Sequence, residues 1–213
     1  MESRAIKIYA PMNKKLALKV IPGHFATSNS HINLYIDLTT MKTRQSEAAE
    51  AARVMAKQYV NSTVVDTIVC LDGCEVIGAF LAHELSSAGI RSMNAHQTIY
   101  IIAPEFNTNG QMIFRENNQP AVYGKNILLL AASATTGGTL RRSLDCIQYY
   151  GGIIQGISSI FSAVDVIDNI SVNSIFKAKD LPEYKSYNIG ECPLCNTNHR
   201  LEAIVNGYGY MKL

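Results

Sequence analysis

Strand-like and helix-like segments alternate between residues 46 and 161, and this order limits the possible fold more than any other feature of the sequence. Apolar, β-branched runs bounded by turn residues are typical of buried strands; they are Val64–Cys70, Thr98–Ile102, Lys125–Ala131 and Ile153–Phe161. Helical spacing or propensity marks Glu47–Tyr59, Glu75–Ser86 and the segment after Thr139. Alternating strands and helices predict βαβ units, and therefore an α/β fold with a parallel sheet covered on both faces.

The composition fits one globular domain with a small appendage. The 213 residues are 47% hydrophobic and 17% charged, which excludes disordered and fibrous classes. The net charge of +2 is too balanced for a protein whose main partner is nucleic acid or an anionic membrane. The first residues are polar and resemble no export signal, and the five cysteines are an odd number, so we expect a reduced, cytoplasmic protein.

Composition also divides the chain into three parts. Residues 1–45 are predicted to be irregular, with short β-prone pieces at Ile6–Tyr9 and Leu34–Leu38. Residues 46–178 form the predicted α/β core. Residues 179–213 are rich in Pro, Tyr, Asn and Cys and are predicted to be an irregular appendage to the same structural domain. In the helix Glu75–Ser86, four residues fall on one stripe at helical spacing: Val76, Ala79, Phe80 and His83.

The Thr-Thr-Gly-Gly-Thr turn at 135–139 is the most informative segment for function. It lies between a predicted buried strand and a predicted helix, so its backbone N–H groups and the helix N-terminus converge on one point. Gly137 and Gly138 let an anion approach the backbone, and Thr135, Thr136 and Thr139 add hydroxyl donors. The turn therefore predicts a phosphate-binding loop, although glycine also simply punctuates tight turns.

The strand and this turn resemble the phosphoribosyl pyrophosphate-binding motif of type I phosphoribosyltransferases, and further segments resemble the orotate phosphoribosyltransferases. Gly23-His-Phe, then Ser30-His31 and Tyr35-Ile-Asp37, are similar to the N-terminal pattern of that family. Asp66–Cys70 with Gly73 and Leu81–Leu85 is similar to its pyrophosphate loop and helix, and Glu191–Cys195 to its C-terminal Cys-Pro-x-Cys element. The match is colinear over roughly residues 20 to 200.

The resemblance implies a type I phosphoribosyltransferase-like fold in which residues 1–45 form an N-terminal hood over the core. It implies a glycosyltransferase of pyrimidine nucleotide metabolism that is a homodimer, uses Mg²⁺ and binds phosphoribosyl pyrophosphate or a nucleotide. By the same resemblance, Asp72, Gly73 and Cys74 form the pyrophosphate loop. The residues implied on the base side are His24, Ser30 and His31.

The sequence departs from the family at its two acidic positions. Two adjacent acids end the strand before the phosphate loop in the family and hold the ribose hydroxyls, whereas this chain has Ala131 and Ala132. Alanine can neither accept a hydrogen bond nor order a magnesium-bound substrate. In the pyrophosphate loop, Cys74 replaces a glycine, which restricts the backbone there.

The flexible loop departs as well. The family has cations there that neutralise the leaving pyrophosphate, and this chain matches only Glu105 and Gly110 of the pattern. The cationic positions hold Ala103, Pro104, Asn107 and Asn109. Because one well-placed donor can be worth about a hundredfold in rate, these losses predict weak or absent transfer activity. Positive charge could come instead from Arg115, Lys125, Arg141 and Arg142. The alternative is that these four are ordinary surface cations.

Further candidate residues lie outside these motifs. Cys192, Cys195 and His199 have the types and spacing of half a zinc site, although a tight turn or a redox-sensitive thiol pair would give the same pattern. Asp72 and Glu75 could bind a metal or simply cap a helix.

Two functional hypotheses follow from the sequence. The first is an orotate phosphoribosyltransferase-like protein that binds phosphoribosyl pyrophosphate or a nucleoside monophosphate through the Thr-Thr-Gly-Gly-Thr loop. The second is a non-catalytic module on the same fold that senses a nucleotide or sugar phosphate.

Overall fold

A computed structural model of the chain describes residues 2–87, 89, 92–108 and 110–213. The strands of the described residues are β1 (Ile6–Ala10), β2 (Asn13–Ala26), β3 (Ser30–Asp37), β4 (Thr67–Cys70), β5 (Tyr100–Ile102), β6 (Glu105–Phe106), β7 (Met112–Ile113), β8 (Asn126–Ala134), β9 (Ile153–Ser162), β10 (Val166–Ile167), β11 (Ile170–Lys177), β12 (Ser186–Asn188), β13 (Ala203–Asn206) and β14 (Gly209–Lys212). The α-helices are α1 (Thr39–Thr43), α2 (Gln45–Ala56), α3 (Glu75–Ser87), α4 (Gly138–Tyr149) and α5 (Pro193–Asn196). None of these helices is long and apolar enough to cross a membrane.

The central sheet has the strand order β10-β11-β9-β8-β4-β5. The five strands from β11 to β5 are parallel, and the short β10 joins the edge of β11 in the antiparallel sense. Its middle strands are apolar on both faces because helices cover both: α2 and α3 pack on the face of Leu128 and Leu130, and α4 packs on the face of Leu129. The parallel α/β core predicted from the sequence is confirmed.

A second sheet of six strands is formed by both ends of the chain. Its order is β12-β3-β2-β13-β14, and β1 pairs with the first half of the long strand β2. β13 runs parallel to the second half of β2, with Ala203 opposite Phe25. This second sheet is called the hood sheet below. Its side chains form a separate apolar cluster, which includes Ile21, Phe25, Tyr35 and Val205.

Two predictions of irregular structure are therefore wrong. Residues 1–45 contain three strands, and the irregular C-terminal appendage expected at 179–213 contains three more, which pair with the N-terminal ones. The short C-terminal strands become regular only because β2 and β3 offer edges on which they can pair. The division of the chain at residues 45 and 178 stays a prediction.

The stripe of Val76, Ala79, Phe80 and His83 is not the buried face of helix α3. Val76, Ala79 and His83 are exposed and Phe80 is half-buried, whereas the buried face carries Ile77, Leu81 and Leu85. Both faces of this helix are apolar, so spacing alone does not distinguish the inner from the outer one.

Candidate functional site

The Thr-Thr-Gly-Gly-Thr turn lies at the carboxyl end of β8, the strand at the middle of the central sheet. Gly137 has φ +78°, a left-handed conformation that L side chains rarely adopt, and it forms the N-cap of α4. The first N–H groups of a helix have no partner within the helix, so they are available to an anion. A Cβ built on Gly138 would meet only the Thr136 hydroxyl oxygen, 3.8 Å away, which leaves space beside the backbone.

A cavity of about 210 Å³ lies between this turn and the hood sheet. Ser133, Thr135 and Thr139 line it from the central sheet, and residues 27–29, in the turn between β2 and β3, line it from the hood. The C-terminal hairpin forms another wall through Val205, Asn206 and Gly207. The remaining lining residues are Ile32, Tyr35, Ile36, Asp72, Phe161 and Tyr184. Hydroxyl, amide and aromatic groups thus surround a space next to a helix N-terminus, which suits a small phosphorylated ligand.

The family resemblance assigns the loop of residues 72–74 to pyrophosphate binding. In the structure, the C-terminal hairpin lies over this loop. Asp72 and Gly73 have positive φ values of 56° and 75°, and Cys74 is fully buried. Ring carbons of Tyr208 lie 3.6 and 3.9 Å from the position a Gly73 Cβ would take, and Gly207 lies against Asp72. Burial raises the pKa of the Cys74 thiol, and the nearby Asp72 adds to the shift, so Cys74 is a packed thiol and not an activated nucleophile.

Lys42 holds this covered loop, and sequence reasoning missed it. Its side chain is 5% exposed, and Nζ donates hydrogen bonds to the backbone oxygens of Asp72, at 2.7 Å, and Gly207. Nζ also lies 5.5 Å from the centre of the Tyr208 ring. Burial raises the pKa of the Asp72 carboxyl, while the Lys42 ammonium and a hydrogen bond from the Ala132 backbone oppose that shift. A lysine at the end of α1 gives no sequence signal of its own, because its partners are backbone groups of distant segments.

The two alanines at the acidic positions are buried in the central sheet. Ala131 is 1% exposed and Ala132 is fully buried, and their side chains belong to the apolar clusters on opposite faces. Among the described residues, Asp72 supplies the one carboxyl group in the cavity lining, and Glu75 is exposed at the start of α3. Mg²⁺ prefers several oxygen ligands in octahedral geometry. The residues present therefore do not fit a protein-held magnesium ion at this cavity.

The segment aligned with the family's flexible loop forms a small hairpin of β6 and β7. Ala103 and Pro104 precede it, and the Asn107 side chain donates a hydrogen bond to the Gln111 side chain within it. Asn109 lies outside the described residues. Glu105 accepts two hydrogen bonds from Arg115, at 2.6 and 2.7 Å, so that this arginine is paired in the hairpin.

Of the other candidate cations, one is paired with an acid, one is close to the Thr-Thr-Gly-Gly-Thr turn and one is distant from it. Arg141 is paired with Asp168, with 3.0 Å between Nε and Oδ1. Arg142 is the nearest to the phosphate loop, and its Nη2 lies 3.5 Å from the Thr139 hydroxyl. Lys125 precedes β8, at the opposite end of that strand from the loop.

The residues assigned to the base side lie beside the cavity and do not line it. Ser30 is buried, and its hydroxyl lies 2.9 Å from that of Thr27. His24 and His31, on neighbouring strands of the hood sheet, meet Cys192 and Cys195 from the C-terminal segment, with ligand atoms all within 4.8 Å of one another. These four residues form a possible metal site. The sequence predicted His199 as the histidine beside the two cysteines, whereas the structure places His24 and His31 there. The His199 ring instead contacts the Thr197 hydroxyl at 3.0 Å.

Comparisons with known proteins agree with this geometry. No model of a known protein family matches the chain. The orotate phosphoribosyltransferase of Chlorobium phaeobacteroides is 24% identical over 189 residues, which are 86% of this chain and 88% of that protein. The curated relatives thus confirm the resemblance to the orotate phosphoribosyltransferases.

Solved structures show the same fold. The orotate phosphoribosyltransferase from Aeropyrum pernix is 16% identical, with a TM-score of 0.53 over 77% of this chain and 90% of its own. The Mycobacterium tuberculosis enzyme, in complex with 5-phospho-α-D-ribosyl 1-diphosphate, is 15% identical, with a TM-score of 0.51 over 69% and 82%. At these identities the likeness establishes a type I phosphoribosyltransferase fold.

Proposed function

We propose that the chain is an orotate phosphoribosyltransferase-like protein that binds phosphoribosyl pyrophosphate or a nucleoside monophosphate through residues 135–139. The observation on which this depends is the cavity beside that turn, lined by Ser133, Thr135 and Thr139 and adjacent to the N-terminus of α4. Curated relatives named orotate phosphoribosyltransferase, and the related structure with phosphoribosyl pyrophosphate bound, support this class of ligand. A helix N-terminus favours an anion such as a 5′-phosphate.

We also propose that the chain transfers the phosphoribosyl group slowly or not at all. Transfer needs positive charge where the pyrophosphate leaves, and Arg115, the arginine of the loop hairpin, is paired with Glu105. Ala131 and Ala132 cannot order a magnesium-bound substrate. Mg²⁺, if it enters with phosphoribosyl pyrophosphate, would be held by the substrate's own phosphates and water.

The test of transfer is the formation of orotidylate and pyrophosphate from orotate, phosphoribosyl pyrophosphate and Mg²⁺. We expect a rate at least about a hundredfold below that of an orotate phosphoribosyltransferase that has the loop cations, measured in parallel. Comparable rates in the two proteins would overturn the proposal of weak transfer and would show that other groups replace the missing acids and cations.

The second candidate function, a sensor of a sugar phosphate or nucleotide, is favoured by the covered pyrophosphate loop. Tyr208 and Gly207 lie over Gly73 and Asp72 at one side of the cavity, while Thr135 and Thr139 line it on the side of the Thr-Thr-Gly-Gly-Thr turn. Its volume of about 210 Å³ is below the roughly 300–1,000 Å³ usual for ligand sites. A compact ribose 5-phosphate fits this volume better than a pyrophosphorylated ribose.

Calorimetry with ribose 5-phosphate, nucleoside monophosphates and phosphoribosyl pyrophosphate tests binding under both hypotheses. We expect binding of the monophosphates with or without Mg²⁺, and about tenfold or more weaker binding by Thr139→Val, because a hydrogen bond to a charged group is lost. Thr197→Val, at an exposed threonine of the C-terminal segment, is the matched control. If no phosphorylated compound binds, both functions are wrong and the kinship is one of fold alone.

By the same resemblance we propose a homodimer that acts in the cytoplasm in pyrimidine nucleotide metabolism. Exposed apolar residues on helix α3 and on the edge strand β5 support the dimer, among them Val76, Tyr100 and Ile101.

A further inference from the structure

Four side chains from three separate segments converge beside the β2–β3 hairpin of the hood sheet. His24 on β2 and His31 on β3 are brought together by the antiparallel pairing of these strands, in which Ala26 lies opposite His31. Cys192 is the N-cap of α5 and Cys195 is within that helix. We propose that His24, His31, Cys192 and Cys195 bind one Zn²⁺ ion, which fastens the C-terminal segment to the β2–β3 hairpin.

For four of the six pairs of ligand atoms, the distances are close to the edges of a zinc tetrahedron. Bonds of about 2.3 Å to sulfur and about 2.0–2.1 Å to nitrogen place a sulfur and a nitrogen about 3.6 Å apart and two nitrogens about 3.3 Å apart. His24 Nε2 lies 3.1 Å from His31 Nδ1, 3.5 Å from Cys192 Sγ and 3.7 Å from Cys195 Sγ. Cys195 Sγ lies 3.2 Å from His31 Nδ1. No carboxylate takes part in this described cluster, and the Cys₂His₂ donor set suits Zn²⁺ over Mg²⁺ or Ca²⁺.

The hydrogen bonds around the cluster orient one of its histidines as a ligand. His24 Nδ1 donates to the backbone oxygen of His199 at 2.7 Å, so its Nε2 presents a lone pair to the cluster. That lone pair faces the His31 Nδ1 and the two thiols. A metal ion would contact all four groups at once, two ring nitrogens and two sulfurs. His24 is 3% exposed and Cys192 is fully buried, so water does not readily replace the ion.

The backbone of residues 192–199 has the form of a metal-binding turn. The amides of Cys195 and Asn196 donate to the Cys192 oxygen, at 3.1 and 3.3 Å, and close the turn that places both sulfurs on one side. The amide of Glu202 then donates to the His24 backbone oxygen at 2.9 Å, just before β13. The same ion would therefore fasten two walls of the cavity, which are residues 27–29 and the β13–β14 hairpin.

Metal content measured on the full chain, purified under reducing conditions with added Zn²⁺, tests the site. We expect about one zinc ion per chain by elemental analysis, and its loss in Cys192→Ser and His31→Ala. Two matched controls keep the metal: His199→Ala removes the histidine that the sequence predicted as a ligand, and Cys146→Ser removes a cysteine on α4. Equal loss of metal from His199→Ala, or zinc-free wild-type protein at saturating Zn²⁺, would overturn the proposal.

Spectroscopy keeps the test valid if a variant fails to fold. Wild-type protein loaded with Co²⁺ should show the intense visible bands of a tetrahedral ion and a sulfur-to-metal charge-transfer band. Cys195→His, at the exposed cysteine, should keep the metal and weaken the charge-transfer band, because one sulfur ligand remains. A six-coordinate spectrum, or a Cys192–Cys195 disulfide in freshly reduced protein, would contradict the site. These readouts are independent of ligand binding at residues 135–139, so either proposal can fail alone.

Discussion

At the scale of single residues, a few side chains hold together two segments of the cavity wall, the Asp72 loop and the C-terminal hairpin. The Lys42 ammonium joins the Asp72 loop of the central sheet to Gly207 of the hood through two backbone oxygens. The Asp72 side chain is half-buried between these segments, and its partial burial raises the pKa of the carboxyl. When the pKa of an acid is higher in the folded than in the unfolded state, the protein loses stability as the pH rises through the folded-state pKa.

Asp72→Asn should therefore stabilise the chain at neutral pH. Asparagine tolerates the left-handed conformation of this position and keeps the oxygen that accepts from the Ala132 backbone, but it has no charge to desolvate. We expect the gain in unfolding free energy to shrink on acidification and to vanish below about pH 4, where the carboxyl is protonated in both states.

Urea unfolding between pH 4 and pH 8 measures this difference. Asp145→Asn, at an exposed position of α4, is the control for the change of residue type. A lower stability of Asp72→Asn at pH 7 would show that the attraction of Lys42 for the carboxylate outweighs its desolvation.

At the scale of elements, the C-terminal hairpin is the part that distinguishes this site. Its turn places Gly207 against Asp72 and Tyr208 over Gly73, so the loop implied to bind pyrophosphate is occupied by the chain itself. The Thr-Thr-Gly-Gly-Thr turn after the next strand, β8, is packed against Ile167 at Gly137, while Thr135 and Thr139 line the cavity. If the turn binds phosphate as proposed, this arrangement favours a monophosphate over a pyrophosphorylated ligand.

Gly207→Ala should lift this hairpin from the loop. A Cβ at residue 207 would lie 2.6 Å from Asp72 Cβ, Cγ and Oδ1, so the turn must move and Lys42 loses an acceptor. We expect a loss of about 1–3 kcal/mol in the free energy of unfolding and faster chymotrypsin cleavage near Tyr208. Met211→Ala, at an exposed residue of the same hairpin, should leave both measurements unchanged. Unaltered cleavage in Gly207→Ala would mean that the hairpin is not held by this contact.

Strands β4, β5, β8 and β9 of the central sheet were predicted to within a few residues, whereas β10, β11 and the hood sheet were not. Strand β8 and helix α3 are contiguous apolar segments with clear turn residues at their ends, so local sequence is sufficient. In β2, buried Leu16, Leu18 and Val20 do alternate with less buried residues, and this signal could have predicted the strand. β13 is only four residues long and pairs with β2, which is distant in sequence.

At the scale of the whole molecule, the two sheets share an apolar cluster, to which Leu16 and Leu18 of β2 contribute, and they meet at one cavity. The first and last segments of the described chain share the hood sheet, so the cavity walls come from both ends of the sequence. Strand β5 is the edge strand of the central sheet at the end opposite β10. Its Ile101 packs on helix α3, 3.2 Å from the position that a Cβ on Gly78 would take. Val76 and Ala79 are exposed on the same helix, which makes this the surface we propose for the homodimer.

Val76→Glu should shift the chain from dimer to monomer. Val76 is 40% exposed in the first turn of α3, where a carboxylate favours the helix N-terminus, so the fold is not disturbed. A charge buried in a dimer interface without a partner is costly. Analytical ultracentrifugation of Val76→Glu beside Ile189→Glu, a change at another exposed apolar residue, measures the effect. A dimer of unchanged affinity in Val76→Glu, or a monomeric wild-type chain, would contradict this surface.

The sequence by itself determined the parallel core, the position of the Thr-Thr-Gly-Gly-Thr turn between β8 and α4, and the absence of the family's acids and cations, because each is a contiguous segment whose chemistry is local. Only the tertiary structure decided which histidines join Cys192 and Cys195, why Lys42 is buried, and what lies over Gly73. Those contacts join residues that are 30 to 175 positions apart, and no local pattern specifies pairs so distant. Strand pairing and packing bring them together.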